Sequence, residues 1–294
     1  MFIRVSKGDA VFDIFNTGLL ILFLLVAAYP LYFVVIASVS APEFVSRGEI
    51  ILFPKGFSLG SYQLVFQDNR VLTGYRNTIL YTLFGTFLSV AITVGAAFAL
   101  SRKELIGRKF FMGLFLLTMY FKGGLIPTYL VVKSLNLINN PLVLILVGAL
   151  NVFNLIICRS FFDNNIPCEL WEASCIDGCS LWGFFWRIAL PISKTIIAIM
   201  VLYYAVSNWN EYFGAMLYLS KKEYFPLQLF LREILIQNQN LATDIDPSML
   251  NVLQERAEAI KYAVIVVASA PVLALYPFVQ KYFVKGVTVG SIKG

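Results

Sequence analysis

The sequence contains no histidine, and only 14% of its 294 residues are charged. A soluble domain carries roughly 25% charged residues, so most side chains of this protein face something other than water. The absence of histidine removes the most common general base and the most common neutral metal ligand. The composition therefore disfavours a soluble enzyme and favours a protein embedded in a membrane.

Long runs without charge are the main feature that is present. Residues 14–42, 77–101, 134–158 and 262–280 carry no charge, and each run reaches the roughly 20 residues that span a bilayer. A single charge interrupts two more apolar segments, Lys122 in 110–132 and Glu211 in 195–219. We predict an all-α polytopic membrane protein in one domain, residues 1–294, with six transmembrane helices at about 14–40, 77–101, 110–132, 141–160, 195–219 and 261–283.

The first uncharged run is interpreted as a retained helix. A cleaved signal peptide has an apolar core of roughly 7–15 residues, and this run is about twice as long. It also follows a polar stretch that contains Arg4, Lys7, Asp9 and Asp13. We therefore expect no removable presequence.

The net charge of +6 is attributed to the positive-inside rule, because no soluble basic face is available to bind nucleic acid. Loop 102–109 has four positive charges against one negative charge. Short loops carry the orientation signal, so we place this loop in the cytoplasm. Six spans then place both termini and the segment 159–194 in the cytoplasm of a bacterial inner membrane, with 43–75 and 220–260 outside.

The four cysteines lie on the predicted cytoplasmic side, where disulfides are disfavoured. They fall within 22 residues, at Cys158, Cys168, Cys175 and Cys179. Their spacings fit no zinc-finger pattern. We predict structural thiols and no metal site.

The segment 164–191 differs from an ordinary polar loop, because it has the pattern of two short helices. Pro167 suits the first turn of a helix, and acids near that end favour the positive end of the dipole. Gly178 permits a sharp stop, and Ser180 can cap a second helix. Residues at intervals of three to four predict one apolar face on that helix, with Pro191 as its end: Leu181, Trp182, Phe185 and Ile188. Such an element suits a protein partner with basic groups, or else a lipid surface.

The spacing within this segment resembles the EAA loop of permease subunits in ABC-type importers. Glu172-Ala173-Ser174, three residues, Gly178, nine residues and Ile188-Ala189-Leu190-Pro191 match the family pattern of Glu-Ala-Ala, Gly and Ile-x-Leu-Pro. Ser174 and Cys179 replace the usual alanine, and both are small. The resemblance implies the type I ABC importer permease fold with a cytoplasmic coupling helix. It also implies ATPase-coupling roles for Glu172, Ala173, Ser174, Asp177, Gly178, Leu181, Trp182, Ile188, Leu190 and Pro191.

The resemblance extends over essentially the whole chain and to the maltose-type, carbohydrate-importing group. In that group one permease of a heterodimer inserts its C-terminal tail between the two ATPase subunits. The tail 284–294 of this chain is similar to that tail. The resemblance therefore implies an ATPase interface at Gly290, Ser291, Ile292, Lys293 and Gly294. A frayed end is the alternative. The stretches Gly123–Leu130 and Asn208–Tyr212 resemble the branch for complex oligosaccharides, including alginate- and pectin-type substrates, and the size is similar to that of the smaller permease of alginate importers.

The resemblance also implies the partners. They are a second homologous permease, two ATPase subunits, an extracytoplasmic solute-binding protein, an oligosaccharide and the lipid bilayer. No phosphate-binding loop of the Walker type is present, so ATP and Mg are expected on the partner subunits, and no cofactor is expected on this chain. The chain is therefore expected not to be an enzyme.

Ionisable residues within spans are costly and usually line a cavity or pair. Lys122 and Glu211 lie about 20 and 26 Å from the cytoplasmic ends at 1.5 Å per residue, so we hypothesise that they pair; snorkelling is the alternative. A lysine at this depth suits an acidic sugar. The candidate substrate pathway contains Tyr120, Lys122, Gly123, Gly124, Asn208, Trp209, Asn210, Glu211 and Tyr212.

The two glycines and Pro127 are expected to break the third span, either to line water or as a packing kink. Outside the membrane, residues 227–235 have apolar side chains at helical spacing. We predict a short amphipathic helix there that either binds a solute-binding protein or packs on the bundle.

Two alternative functions remain, a permease for a neutral oligosaccharide and a secondary transporter. No internal repeat supports the secondary transporter.

Overall fold

The computed structural model describes residues 7–240 and 260–274. Every regular element in these residues is helical, so the all-α prediction is confirmed. We number the main helices α1 Lys7–Ser38, α2 Pro42–Ser46, α3 Gly60–Gln67, α4 Asn69–Ser101, α5 Arg108–Tyr120, α6 Leu125–Ser134, α7 Leu142–Leu146, α8 Val152–Asn165, α9 Cys168–Ile176, α10 Leu181–Ile192, α11 Lys194–Trp209, α12 Phe213–Tyr218, α13 Leu227–Asn240 and α14 Ile260–Ala274.

The packing divides the chain into two compact units. The first unit comprises the described residues of Met1–Asn69 and Leu231–Ser269, and the second comprises those of Arg70–Phe230 and Ala270–Gly294. The second unit contains the EAA-like segment and the predicted substrate pathway.

In the first unit, α1 is apolar and almost entirely exposed within this chain. Only 6% of its most apolar window is buried, as expected for a helix that contacts lipid. Its C-terminal end is held by the Ser38 hydroxyl, which lies 2.7 Å from the Tyr62 hydroxyl. Near that end, Phe33 packs edge to face on Tyr262 with ring centroids 5.7 Å apart.

In the second unit, α4 connects two hydrophobic clusters. Phe98, near the end of α4, belongs to a cluster with residues of α8, α10 and α11. Thr78 lies 20 residues earlier, or about 30 Å along the helix axis, and its hydroxyl accepts a hydrogen bond of 2.8 Å from the Leu227 amide. The second cluster, formed by residues of α6, α7, α12 and α13, lies beside that contact.

Two helices are each long and apolar enough to cross a bilayer, Phe12–Ser38 and Asn69–Ser101. Two bent pairs have the composition of one span each: α5 with α6, bent by 114°, and α10 with α11, bent by 80°. The described residues thus hold two to four candidate spans, and the count of six stays a prediction. The predicted fourth span is interrupted at Gly148 (φ +82°), and the predicted fifth span after Trp209.

The predicted outer amphipathic helix is present as α13, but its apolar side is covered. Leu227, Phe230 and Leu231 are buried. The segment before the helix is fixed to α4 by the Asn77 amide, which donates to the carbonyls of Glu223 (2.8 Å) and Phe225 (3.0 Å). Of the two predicted roles, packing on the bundle is the one this apolar side performs.

Candidate coupling elbow and substrate cavity

The EAA-like segment forms two helices joined by a tight turn, which we call the elbow (residues 167–192). The first helix, α9, ends where Gly178 adopts a φ of +72°. The Cys179 amide donates to the Ser174 carbonyl (2.9 Å) and the Gly178 amide donates to the Cys175 carbonyl (3.0 Å). These bonds satisfy the last carbonyls of the helix, and the left-handed conformation explains the need for glycine at this position.

The second helix of the elbow, α10, begins at a serine cap. The Ser180 hydroxyl accepts a hydrogen bond of 3.1 Å from the Gly183 amide. A π-helical turn at Phe185–Ala189 ends two residues before Pro191, which has no N–H and cannot donate to a normal helical turn. The helix ends at Ile192, one residue after the predicted end, and the chain then turns by 80° into α11.

Aromatic packing holds the elbow against the bundle. Trp171 of α9 packs edge to face on Phe184 of α10, with ring centroids 5.1 Å apart. Phe98 of α4 lies 4.9 Å from Phe185 and 5.8 Å from Phe162 of α8. Close-packed rings therefore join the elbow to α4 and α8.

A buried arginine lies in the same cluster. The guanidinium of Arg102 is 4.9 Å from the centre of the Phe98 ring and 5.9 Å from that of Phe184, within the range of cation–π attraction. It also donates to the Ser101 hydroxyl at 3.0 Å. Burial lowers the pKa of Arg102, but arginine stays charged at neutral pH. The charge thus binds the end of α4 to the second helix of the elbow.

An ion-pair network crosses the base of the bundle near the elbow. Asp163 of α8 accepts two hydrogen bonds from Arg108, at 3.0 and 3.1 Å, and lies 3.2 Å from Arg159. Arg159 also donates to the Leu100 carbonyl at 3.2 Å. The sequence shows these charges only as an orientation signal, because Arg108 and Asp163 are 55 residues apart along the chain and no local pattern marks the pair.

The predicted coupling residues divide into exposed and packed groups. Glu172, Ala173, Asp177 and Gly178 are exposed, together with Ile176, which is 87% exposed. The packed or half-packed group is Ser174, Ile188 and Leu190. The first helix of the elbow therefore presents a small, acidic and partly apolar surface.

The predicted apolar face of the second helix is corrected by the structure. Phe185 and Ile188 do face the core, but Trp182 is 72% and Leu181 48% exposed. The buried stripe runs instead through Phe184, Phe185 and Ala189. Leu181 and Trp182 lie in the first turn of α10 and do not join this stripe.

The predicted break of the third span is present at Phe121–Gly124, where α5 and α6 meet at 114°. Gly124 has a φ of +88°, and Tyr120 and Lys122 are exposed. The hypothesis that Lys122 pairs with Glu211 is not supported, since the two form no ion pair within the described residues. Instead, Glu211 accepts a hydrogen bond of 2.6 Å from the Gly214 amide and so caps α12.

The other predicted pathway residues differ in exposure. Trp209 is only 7% exposed and packs near Tyr75, with ring centroids 6.2 Å apart, so it does not offer a face to a sugar. Asn210 and Tyr212 are exposed. Asn208 is half-buried, and its amide donates to the Thr86 hydroxyl at 3.3 Å.

A cavity of about 440 Å³ lies beside Asn208 and was not predicted from the sequence. Its lining is rich in neutral polar groups and comprises Gly148, Asn151, Asn154, Leu202, Tyr203, Tyr204, Val206, Ser207 and Asn208. The Tyr204 hydroxyl lies 2.6 Å from Thr93 and accepts from the Asn151 amide at 3.1 Å, so three segments are tied together at its wall. Amide and hydroxyl groups of this kind bind sugar hydroxyls by donating and accepting hydrogen bonds.

Two groups of predicted features lie wholly or partly outside the described residues. The tail residues Gly290, Ser291, Ile292, Lys293 and Gly294 and the whole segment 241–259 are among them. The predicted sixth span, 261–283, is described as far as residue 274.

These features define a helical protein with candidate membrane spans, an elbow of two short helices and a polar cavity between helices. The sequence matches the family described as "Binding-protein-dependent transport system inner membrane component" over residues 12–289, and the chain belongs to this family. Family membership favours the importer over the secondary transporter among the functions considered above.

Individual relatives agree with this assignment. Protein LplC of Bacillus subtilis is 41% identical over 293 residues, which cover 98% of this chain and 97% of that protein. The polygalacturonan/rhamnogalacturonan transport system permease protein YtcP of the same organism is 42% identical, covering 97% of this chain and 99% of that protein.

A solved structure agrees as well. The crystal structure of a bacterial ABC transporter involved in the import of the acidic polysaccharide alginate contains a chain that is 33% identical, with a TM-score of 0.85 over 96% of this chain and 100% of that one. The predicted type I ABC importer permease fold is therefore confirmed. This chain is an inner-membrane permease of an ABC importer for sugars or oligosaccharides.

Proposed function

We propose that this permease imports an acidic oligosaccharide and is driven by separate ATPase subunits that bind the first helix of its elbow. The exposed acidic surface of α9 carries the proposal of ATPase docking. Glu172 and Asp177 have no basic partner among the described residues, and Ile176 is 87% exposed. In a cleft of a partner protein, the carboxylate could pair with a basic residue and the apolar side chain could be buried.

Closure of two ATPase subunits around ATP and Mg would draw this helix and that of a second, homologous permease together. The rings of Trp171, Phe184 and Phe98 form a packed path by which such a displacement reaches α4. A rigid-body change of this kind alternates the access of a substrate site. The elbow and both termini are placed in the cytoplasm, and a solute-binding protein delivers the sugar from outside.

The docking proposal is tested by Glu172→Lys in the complex reconstituted with its ATPase, second permease and binding protein. Repulsion of the proposed basic residue should lower sugar-stimulated ATP hydrolysis at least about 10-fold, which corresponds to about 1.4 kcal/mol. Glu43→Lys, which reverses an exposed acid of α2, is the matched control. Equal activity of both variants would exclude docking through Glu172.

Two observations support an acidic sugar as the substrate. The names of YtcP and of the alginate importer refer to acidic polysaccharides or their pectin-type relatives. In this chain Lys122 is exposed beside the break between α5 and α6 and has no acidic partner among the described residues. An exposed ammonium group without an acidic partner can form a charge-assisted hydrogen bond with a carboxylate of an acidic sugar.

The variant Lys122→Gln tests whether the permease imports an acidic or a neutral oligosaccharide. Uptake of an oligogalacturonate or oligoalginate by proteoliposomes should fall several-fold, whereas uptake of a neutral oligosaccharide of equal length should not. The cavity at Asn151 and Asn208 has only neutral lining groups, so it suits the hydroxyls that both kinds of sugar share. Equal effects on both substrates would favour a neutral oligosaccharide.

A further inference from the structure

The charges of the elbow are divided between its two helices. Residues 168–180 contain Glu169, Glu172 and Asp177 and no basic residue. Residues 181–194 contain Arg187 and Lys194 and no acidic residue. The helix proposed to face the ATPase is therefore acidic, whereas the only charges on α10 and the first residue of α11 are the positive charges of Arg187 and Lys194.

The orientation of the second helix, α10, relative to α11 suggests that it contacts the membrane, whereas the first helix, α9, is proposed to contact the ATPase. α10 is bent by 80° from α11, and the pair has the composition of a membrane span. If α11 crosses the bilayer, α10 lies nearly parallel to the membrane plane. A helix in that position meets the headgroup region, where tryptophan and basic side chains are favoured.

The exposed side of α10 has the residues that this position favours. Trp182 and Trp186 lie four residues apart, about one helical turn, and are 72% and 62% exposed. Arg187 of α10 and Lys194, the first residue of α11, are also exposed. Neither basic residue has an acidic partner within the part of the chain that the structure describes.

An apolar groove lies beside these tryptophans. It has a volume of about 190 Å³ and is lined by Gly95, Phe98, Ala99, Leu181, Trp182 and Phe185. Its α4 wall lies within the last two turns before Ser101, the final residue of a helix long enough to span the membrane. If α4 spans the bilayer and Ser101 lies at its cytoplasmic surface, the groove opens where acyl chains begin beneath the headgroups.

We propose that this surface binds an anionic phospholipid of the inner leaflet, with its headgroup at Arg187 and Lys194 and an acyl chain in the groove at Trp182. Basic pockets beside membrane helices on the cytoplasmic side bind anionic headgroups. The exposed tryptophans beside these basic residues favour a lipid over the acidic surface of another protein, because the headgroup region favours both residue types together. The lipid lies between the bilayer and the elbow, so it positions α10 while α9 remains free for the ATPase.

Phosphatidylglycerol is the probe, titrated onto the delipidated full complex and detected by native mass spectrometry. Each neutralised basic residue should weaken binding about 5-fold, since one Lys or Arg near an anionic surface contributes about 1 kcal/mol. R187Q/K194Q should therefore lose about 25-fold in affinity. K221Q/K222Q, which removes two exposed lysines elsewhere, is the matched control and should bind as the unmodified complex does.

Three results would overturn the proposal. One is equal phosphatidylglycerol affinity in R187Q/K194Q and in the control, and another is equal affinity for phosphatidylcholine and phosphatidylglycerol in the unmodified complex. The third is loss of the second permease from the R187Q/K194Q complex, which would show that the surface is a subunit interface. None of these readouts depends on transport or on Glu172, so failure here is distinguishable from failure of the proposed function.

Binding of an acyl chain in the groove is tested separately, by fluorescence quenching. Phosphatidylglycerol with brominated acyl chains should quench the fluorescence of the unmodified complex more than that of Trp182→Phe, because bromine quenches only nearby indoles. Phenylalanine retains most of the apolar contact, so the variant should assemble. Identical quenching of both would exclude an acyl chain at Trp182.

Discussion

Trp171 and Phe184 meet edge to face across the turn of the elbow, with ring centroids 5.1 Å apart. Phe184 is completely buried and lies 6.2 Å from Phe98 of α4. One side chain thus contacts both the first helix of the elbow, α9, and a long helix of the bundle. This arrangement converts the elbow from a surface loop into a fixed extension of the core.

Phe184→Ala should detach the elbow from the bundle. Loss of a buried phenylalanine costs about 3–5 kcal/mol, so the melting temperature of the purified complex and its sugar-stimulated ATP hydrolysis should both fall. Phe87→Ala is the control, since Phe87 is 74% exposed on α4. An unchanged melting temperature and full coupling in Phe184→Ala would contradict the packed path.

Gly178 should be replaceable by asparagine more easily than by alanine. A Cβ at Gly178 would meet no atom within 4 Å, so the cost of alanine comes from the φ of +72° alone and is about 1–2 kcal/mol. Asparagine tolerates this conformation better.

The expected order of sugar-stimulated ATP hydrolysis is glycine, then asparagine, then alanine. The same order is expected for co-purification of the ATPase. Alanine equal to glycine in both assays would show that the turn is not required in its left-handed form.

The Tyr204 hydroxyl should stabilise the wall of the polar cavity. Tyr204→Phe leaves Thr93 and the Asn151 amide without this partner, at a cost of about 1–3 kcal/mol. The apparent affinity for sugar, measured by stimulation of ATP hydrolysis, should fall with the melting temperature. Tyr203→Phe, in the same cavity lining, is the control; an equal loss in both variants would refute a specific role for Tyr204.

Gly74 and Gly95 of α4 form a matched pair for close packing. A Cβ at Gly74 would lie 2.9 Å from the Cα of Leu227, whereas a Cβ at Gly95 would meet nothing within 4 Å. Gly74→Ala should therefore lower the melting temperature by displacing the start of α13. Gly95→Ala should leave it unchanged or raise it slightly, because alanine favours a helix by up to about 1 kcal/mol. Equal shifts in both would exclude the close contact.

Local signals predicted the elbow well. Gly178 and Ser180 act through bonds to residues within five positions of them, so their roles follow from the chain itself. The third span was expected to break at Gly123-Gly124, and Gly124 does adopt a φ that favours glycine. The breaks in the predicted fourth and fifth spans were missed. Gly148 lies in an otherwise apolar stretch, and the polar run at 207–211 was interpreted as pathway residues within a span.

Contacts between side chains that are distant in the sequence were predicted poorly. Lys122 and Glu211 were expected to pair from depth alone, but Glu211 caps the next helix through the Gly214 amide. Depth along two helices fixes neither their rotation nor their distance. The same limit hid the Asn151 and Tyr204 contact, which joins residues 53 positions apart.

The sequence by itself determined the class of this protein, a helical membrane permease with an EAA-type elbow, because hydropathy and turn chemistry act over one or two helical turns. The tertiary structure decided which side chains meet: Trp171 with Phe184, Arg108 with Asp163, and the cavity lining at Asn208. It also separated the acidic face of the elbow from its tryptophan and basic face. Packing between distant segments depends on helix rotation and bend angles, and no periodicity in the chain specifies these.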